Sequence, residues 1–172
     1  MAHRFIRDAR LDREPLAEEL RHFLKLLLDH MRLEIAFDVA TQESVPGDVE
    51  SPEVVVTFRG RDQELLLERS AELLKALEYI VLRGLHVDPH FYDHVRFDCG
   101  DYVAMRIEEL KLSAKVAADQ VLASRLPFTF NPMSPRERRI IHLALKDTPG
   151  IRTGSEGVGD HRQVVVYPAE KR

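Results

Sequence analysis

Arg138 and His142 stand four residues apart in the stretch Ser134-Pro135-Arg136-Glu137-Arg138-Arg139-Ile140-Ile141-His142-Leu143-Ala144-Leu145-Lys146-Asp147. On an α-helix that spacing stacks the two side chains one turn apart on a single face. A guanidinium can fork two parallel hydrogen bonds onto a phosphate, and an imidazole one turn away adds a donor or a stacking ring. Arg139 and Lys146 fall beside them, so the face offers three firm cations and one imidazole. A solvated basic face is the plain reading of such a pattern. A phosphate-binding strip is the sharper one, and the fork geometry favours it. Further along, Arg152 and Arg162 flank a glycine-rich loop from Gly154 to Gly159, with the Ser155 hydroxyl inside it. Its amides could receive a further phosphate, or the glycines could serve a hairpin turn.

Other constellations promise less. His86, His90 and His94 recur at the spacing of helical metal ligands, but Pro89 and a strand expected from His94 break any shared helical face. Cys99 sits beside Asp98 and Asp101, neighbours that disfavour a thiolate. No phosphate-binding Gly-rich loop of the NTPase type, no Gly-x-Ser-x-Gly and no His-Glu-x-x-His occurs. The expectation is a protein without catalytic activity, metal or cofactor.

The elements that must hold the cationic face follow from the hydrophobic pattern. Ser134 is placed to cap a helix, Pro135 to occupy its first position, and Glu137 to reach back to the cap. Ile140, Ile141, Ala144 and Leu145 form the arc that must face a core. Upstream, helical spacing predicts a helix over 15–31, followed by a strand over 33–39, a turn at Pro46-Gly47-Asp48 and a β-branched strand over 53–59. Two helical pieces then follow, 62–67 and 72–83, with Gly84 as the expected C-terminal cap. The short stretch Glu68-Arg69-Ser70-Ala71 separates them. A strand over 94–99 leads into a long helix over 102–123, whose small alanines predict close approach to another element. Strands over 127–130, 151–155 and 163–167 surround the capped helix. Residues 1–13 show no clear period and are expected to be flexible.

Bulk composition limits the choices. At 172 residues the chain suits one or two small domains, and 44% hydrophobic with 31% charged residues is an ordinary globular composition. A single cysteine rules out an internal disulfide framework. No apolar run is long enough for a membrane span, and Met1 to Asp8 lacks the features of a secretory signal, so the expected location is cytoplasmic. The net charge of −4 does not by itself favour a polyanion. Its distribution does: Arg125 to Arg172 holds 9 Lys+Arg against 5 Asp+Glu, a balance of +4 set against an acidic remainder.

The residues Arg138-x-x-x-His142, Ser155-Glu156-Gly157 and Arg162-x-Val164-Val165-Val166, with the string Asn131-Pro132-Met133-Ser134-Pro135, resemble the R3H domain. More closely, they resemble the C-terminal module of the bacterial Jag (SpoIIIJ-associated) family, which joins a KH domain to an R3H domain. The resemblance implies an α+β fold. A type II KH-like domain over 14–124, a three-stranded sheet with helices on one side, would include the long helix. A small R3H sheet-plus-helix domain would occupy 125–172. It implies binding of single-stranded nucleic acid, RNA or DNA, by Arg138 and His142, to which the residue pattern itself adds Arg139, Arg136, Lys146, Arg152, Ser155 and Arg162 as expected contacts. A role in post-transcriptional regulation tied to cell elongation or the envelope would follow, with a small KH protein or a second copy as partner. The usual Jag N-terminal segment is not recognisable before Pro15. The Gly-x-x-Gly loop with which KH domains grip a strand is replaced by Glu68-Arg69-Ser70-Ala71. Arg59, Arg61 and Lys75 remain as nearby cations. The competing reading is a protein-contact or dimerisation module that has lost RNA binding.

Overall fold

The computed structural model describes residues 4–43 and 52–169. The turn expected at Pro46-Gly47-Asp48 lies outside them. The chain divides into two compact units, Met1–Tyr102 and Val103–Arg172.

In the first unit, Val54, Val56 and Phe58 alternate with more open neighbours, as a strand with one buried face must. This strand, β4 (Val54–Gly60), is the centre of a three-stranded sheet ordered β3-β4-β5, with β3 at Ile35–Thr41 and β5 at Val95–Cys99. β3 pairs with it antiparallel and β5 parallel. The parallel pair requires a crossover, which α2 (Gln63–Gly84) supplies. α1 (Arg13–Met31) buries Leu16, Leu20, Leu24 and Leu28 in the same core as Val56, Phe58 and Phe97.

α2 is interrupted where the sequence places its break. Glu68 is extended, and Arg69, Ser70 and Ala71 all take left-handed backbone angles. The Tyr102 hydroxyl donates to the Ser70 carbonyl at 3.0 Å, and Ala71 is buried. Gly84 is not the cap expected of it. It lies within the helix, and Leu85 is the capping residue. A Cβ at Gly84 would stand 2.9 Å from the tip of the Phe23 ring, so glycine serves packing of α1 on α2 there.

Residues 4–13, the described part of the segment expected to be flexible, differ from expectation. Ile6–Arg7 (β1) and Arg10–Leu11 (β2) form a small antiparallel hairpin. Asp8 and Ala9 both have positive φ at its turn, and Phe5 and Leu11 are buried in the core. Two apolar anchors on either side of a tight turn tie this segment down.

The second unit is built on α3 (Tyr102–Ser124). Its Ile107, Leu110, Ala114, Ala117, Ala118 and Val121 share one core with Ile140, Ile141 and Leu145 of α4 (Pro135–Leu145) and with Val164 and Val166 of β8 (Gln163–Pro168). The expected boundary at 124/125 grouped this helix with the first domain. The compact units instead divide after Tyr102, because the alanine-rich face of α3 packs on α4 and β8. β6 (Phe128–Thr129) and β7 (Ile151–Glu156) flank β8 in an antiparallel sheet ordered β6-β8-β7.

Each left-handed non-glycine residue in the α2 break costs about 1–2 kcal/mol of backbone energy that glycine escapes, less the entropy glycine loses on folding. Ser70→Gly should therefore stabilise the protein by about 0.5–1 kcal/mol. A thermal melt that shows no rise, or a fall, would mean that the Ser70 side chain contributes more than its backbone costs.

Candidate nucleic-acid interface

α4 begins as its sequence specifies. The Ser134 Oγ accepts from the Glu137 N–H at 3.3 Å, the Glu137 carboxylate accepts from the Ser134 N–H at 3.0 Å, and Pro135 fills the first helical turn. Glu137 is buried, and it also accepts from Nε of Arg106 on α3 at 2.9 Å. The acidic group nearest in sequence to Arg138 is thus committed to the cap and to Arg106.

Arg138 is half-buried, and its Nε is buried with no hydrogen-bond partner. Burial, and then the Arg162 guanidinium, push its pKa below the ordinary arginine value. His142, one turn on, is also half-buried. Its Nδ1 bonds the Thr153 hydroxyl at 2.7 Å and its Nε2 the Ser155 hydroxyl at 2.9 Å. Burial, and then Arg138, push its pKa below that of a free imidazole. Among the described residues no carboxylate pairs with Arg138, Arg139, His142, Lys146 or Arg162. The result is a cluster of like charges without a counter-ion.

The structure therefore brings together four of the residues expected from the sequence: Arg138, His142, Ser155 and Arg162. Arg139 and Lys146 are exposed on α4, and Arg136 is half-buried at its first turn. Arg152 is placed otherwise. Thr153 and Ser155 point to His142, so strand alternation turns Arg152 to the opposite face of the sheet. There its guanidinium lies 4.1 Å from the centre of the Tyr167 ring. His142 also differs from a free hydrogen-bond donor, since both ring nitrogens are already engaged. Thr153 was missed by sequence reasoning, although it shares a face with Ser155 in any strand covering both.

The glycine loop is a turn first. Gly157 has φ +90, and a Cβ there would meet the His161 carbonyl at 2.4 Å. The N–H groups of His161 and Arg162 are taken by the carbonyls of Val158 and Gly159. Elsewhere, His90 bonds Asp88 and His94 bonds Glu53, each through Nδ1, and no metal-holding group of three such side chains occurs among the described residues. Cys99 is buried in β5, and burial, then Asp98, raises its thiol pKa.

The R3H domain family model matches residues 108–168, beginning inside α3 and ending with β8. RNA-binding protein KhpB of Clostridium symbiosum is 29% identical over 154 residues, covering 90% of this chain and 67% of that protein. RNA-binding protein KhpB of Bacillus subtilis is 33% identical over 131 residues, covering 75% of this chain and 60% of that protein. The chain carries an R3H domain and is similar over most of its length to proteins of the Jag family. It spans less than half of a third relative, RNA-binding protein KhpB of Lactiplantibacillus plantarum, at 28% identity and 44% coverage of that protein. The R3H match includes most of α3, in keeping with the shared core of α3, α4 and β8. No described helix is long and apolar enough to cross a membrane.

The depressed His142 pKa fixes a pH dependence. Above pH ~6.5 the imidazole is neutral in both folded and unfolded chains and contributes no pH slope. As the pH falls through that value the unfolded chain takes up a proton that the folded one resists, so stability is lost on acidification. Urea unfolding followed from neutral to mildly acid pH should show a shallower decline for His142→Gln than for the wild type. Equal slopes would show that the His142 ring does not resist protonation in the fold.

Proposed function

We propose that this chain binds single-stranded RNA through its R3H domain, with the strand's phosphates meeting Arg138, Arg162 and Ser155 and with Arg139 and Lys146 adding field. The observation that carries this reading is the buried, unpartnered Nε of Arg138 beside a second guanidinium, with no carboxylate to balance either. A buried donor left unpaired costs about 1–3 kcal/mol, and a phosphate drawn to the half-buried guanidinium relieves its repulsion by Arg162. The names of the relatives, RNA-binding protein KhpB, point the same way. His142 acts here as a positioning residue that holds the Ser155 hydroxyl at the edge of the cluster. The chemistry needs no catalyst, and the reading is of a binding protein rather than an enzyme.

The first unit contributes little to the grip. In place of the expected loop glycines stand Glu68, whose carboxylate repels phosphate, and Ala71, whose methyl group is buried in the core. Binding dominated by backbone contacts has low sequence specificity and falls steeply with salt. Fluorescence titration of a labelled single-stranded RNA at rising salt should give a linear log–log decline, and Arg138→Gln should weaken binding and flatten the slope by about 0.7. Arg138→Glu should abolish it. Binding insensitive to salt, or unchanged by either substitution, would overturn the reading.

A second reading, self-association, is favoured by a stripe on α3. Met105, Leu112 and Val116 are 60%, 65% and 59% exposed on the side opposite its buried face. Glu109 and Lys115 lie three residues to either side of Leu112, so an antiparallel second copy of the helix would set them against each other. Light scattering should then show a mass that rises with concentration and reverts to monomer in Leu112→Glu; a constant monomer mass removes this reading.

A further inference from the structure

We propose that the outer face of β7 and β8, turned away from α4, is a nucleobase-stacking subsite built on Arg152 and Tyr167. The inference rests on the reading that a single strand is held at Arg138, and adds where one of its bases goes.

Strand register defines the face. Thr153 and Ser155 are bonded to His142, so Arg152, Gly154 and Glu156 project from the other side of β7. Their partners across the ladder are Tyr167, Val165 and Gln163. The Arg152 guanidinium lies 4.1 Å from the Tyr167 ring centre, and the Tyr167 hydroxyl donates to the Glu156 carboxylate. The ring passes over Gly154, where a Cβ would stand 3.4 Å from its Cε2. Glu156 and Gly154 thus fix one aromatic–guanidinium pair. Arg152 is exposed, Tyr167 is half-exposed, and Arg152 has no carboxylate partner among the described residues.

Such a pair is a platform for a base. Guanidinium planes and aromatic rings are the two surfaces on which proteins stack unpaired bases, and every base has a π-face to offer. Glu156 sets the polarity of the edge. Its carboxylate repels phosphate, so the backbone does not lie here, but it can accept from an exocyclic amino group. Adenine and cytosine carry such a group on their pairing edge, and uracil does not. The location suits a strand already bound on the other side. β7 is the edge of its sheet, so a single strand crossing that open edge passes from the Ser155 side to the Arg152 side.

The test uses the full chain and labelled oligoadenylate and oligouridylate of about twelve nucleotides, a length within single-strand site sizes. Tyr167→Leu should weaken oligoadenylate binding about tenfold, and Tyr167→Phe, which keeps the ring, should stay within about twofold. Arg152→Lys keeps the charge and loses the plane, and should weaken binding about fivefold. Oligoadenylate should exceed oligouridylate in affinity, and Glu156→Gln should narrow that gap. Ultraviolet cross-linking of 4-thiouridine placed within the oligoadenylate should map to the peptide carrying Tyr167. If Arg152→Lys and Tyr167→Leu both bind like the wild type while Arg138→Gln binds weakly, the stacking subsite is refuted and the Arg138 reading stands. If Arg138→Gln is also without effect, both fall. Should Tyr167→Leu fail to fold by circular dichroism, the exposed Arg152→Lys decides alone.

Discussion

The arrangement of the R3H unit depends on how one carboxylate is spent. Among the described residues Glu137 is the one charged side chain that is buried. It accepts from the Ser134 backbone at the start of α4 and from the Arg106 guanidinium on α3. Each bond has a structural consequence: the first sets where α4 begins, and the second ties α4 to α3. Their joint consequence is electrostatic. A carboxylate next to Arg138 in sequence would ordinarily damp its charge. Drawn into the cap and onto Arg106, it leaves Arg138 under the repulsion of Arg162 with no carboxylate paired to it. The Arg106–Glu137 bond is part-buried, and losing either partner would leave the other's charge poorly compensated, so the arrangement is held firmly.

The fold can carry such repulsion because apolar burial outweighs it. Ile140, Ile141, Leu145, Val164 and Val166 are buried around α4 and β8. At about 1.5–3 kcal/mol for each, their combined contribution exceeds any plausible penalty from two partly solvated guanidinium groups, even after discounting for a compact unfolded chain. The position of α4 is thus decided by its inner arc, and its outer arc is free to hold charges that do not stabilise the fold. That division between arcs is how a small module can keep a binding face ready-made.

Much of this was legible in the sequence because it is local. The cap Ser134-Pro135-x-Glu137 and the arc Ile140, Ile141, Leu145 specify α4 by spacing alone, and the break at Glu68 to Ala71 is visible between two apolar periods. The residues that escaped are those whose roles depend on contacts distant in sequence. The alanine seam of α3 announces a close neighbour without saying which one, and only the shared core with Val164 and Val166 assigns it to the second unit. Gly84 resembles a helix cap until Phe23, sixty-one residues earlier, is seen against it. The hairpin at Ile6 to Leu11 turns on Asp8-Ala9, which lacks the glycine that usually marks such a turn. Arg152 and Arg162 flank one loop in the sequence, yet the period of two along β7 sends Arg152 to the far face.

That same period bears on what His142 can do. A helix face presents Arg138 and His142 together, and taken alone it suggests two equivalent ligand-binding groups. The strand opposite removes the equivalence. Thr153 and Ser155, two residues apart and therefore on one side of β7, close on both ring nitrogens. Once both are engaged, the imidazole can offer a ligand only its face, or act through the hydroxyl it orients. With its pKa held down by burial and by Arg138, it remains neutral at physiological pH and adds no charge to a cluster that already has an excess. The helix thus supplies the charge through Arg138, while His142 and the strand supply the geometry. On the reading proposed above, the Arg–His pair one turn apart acts as a cation and a positioning ring, with the Ser155 hydroxyl as the second ligand-facing group.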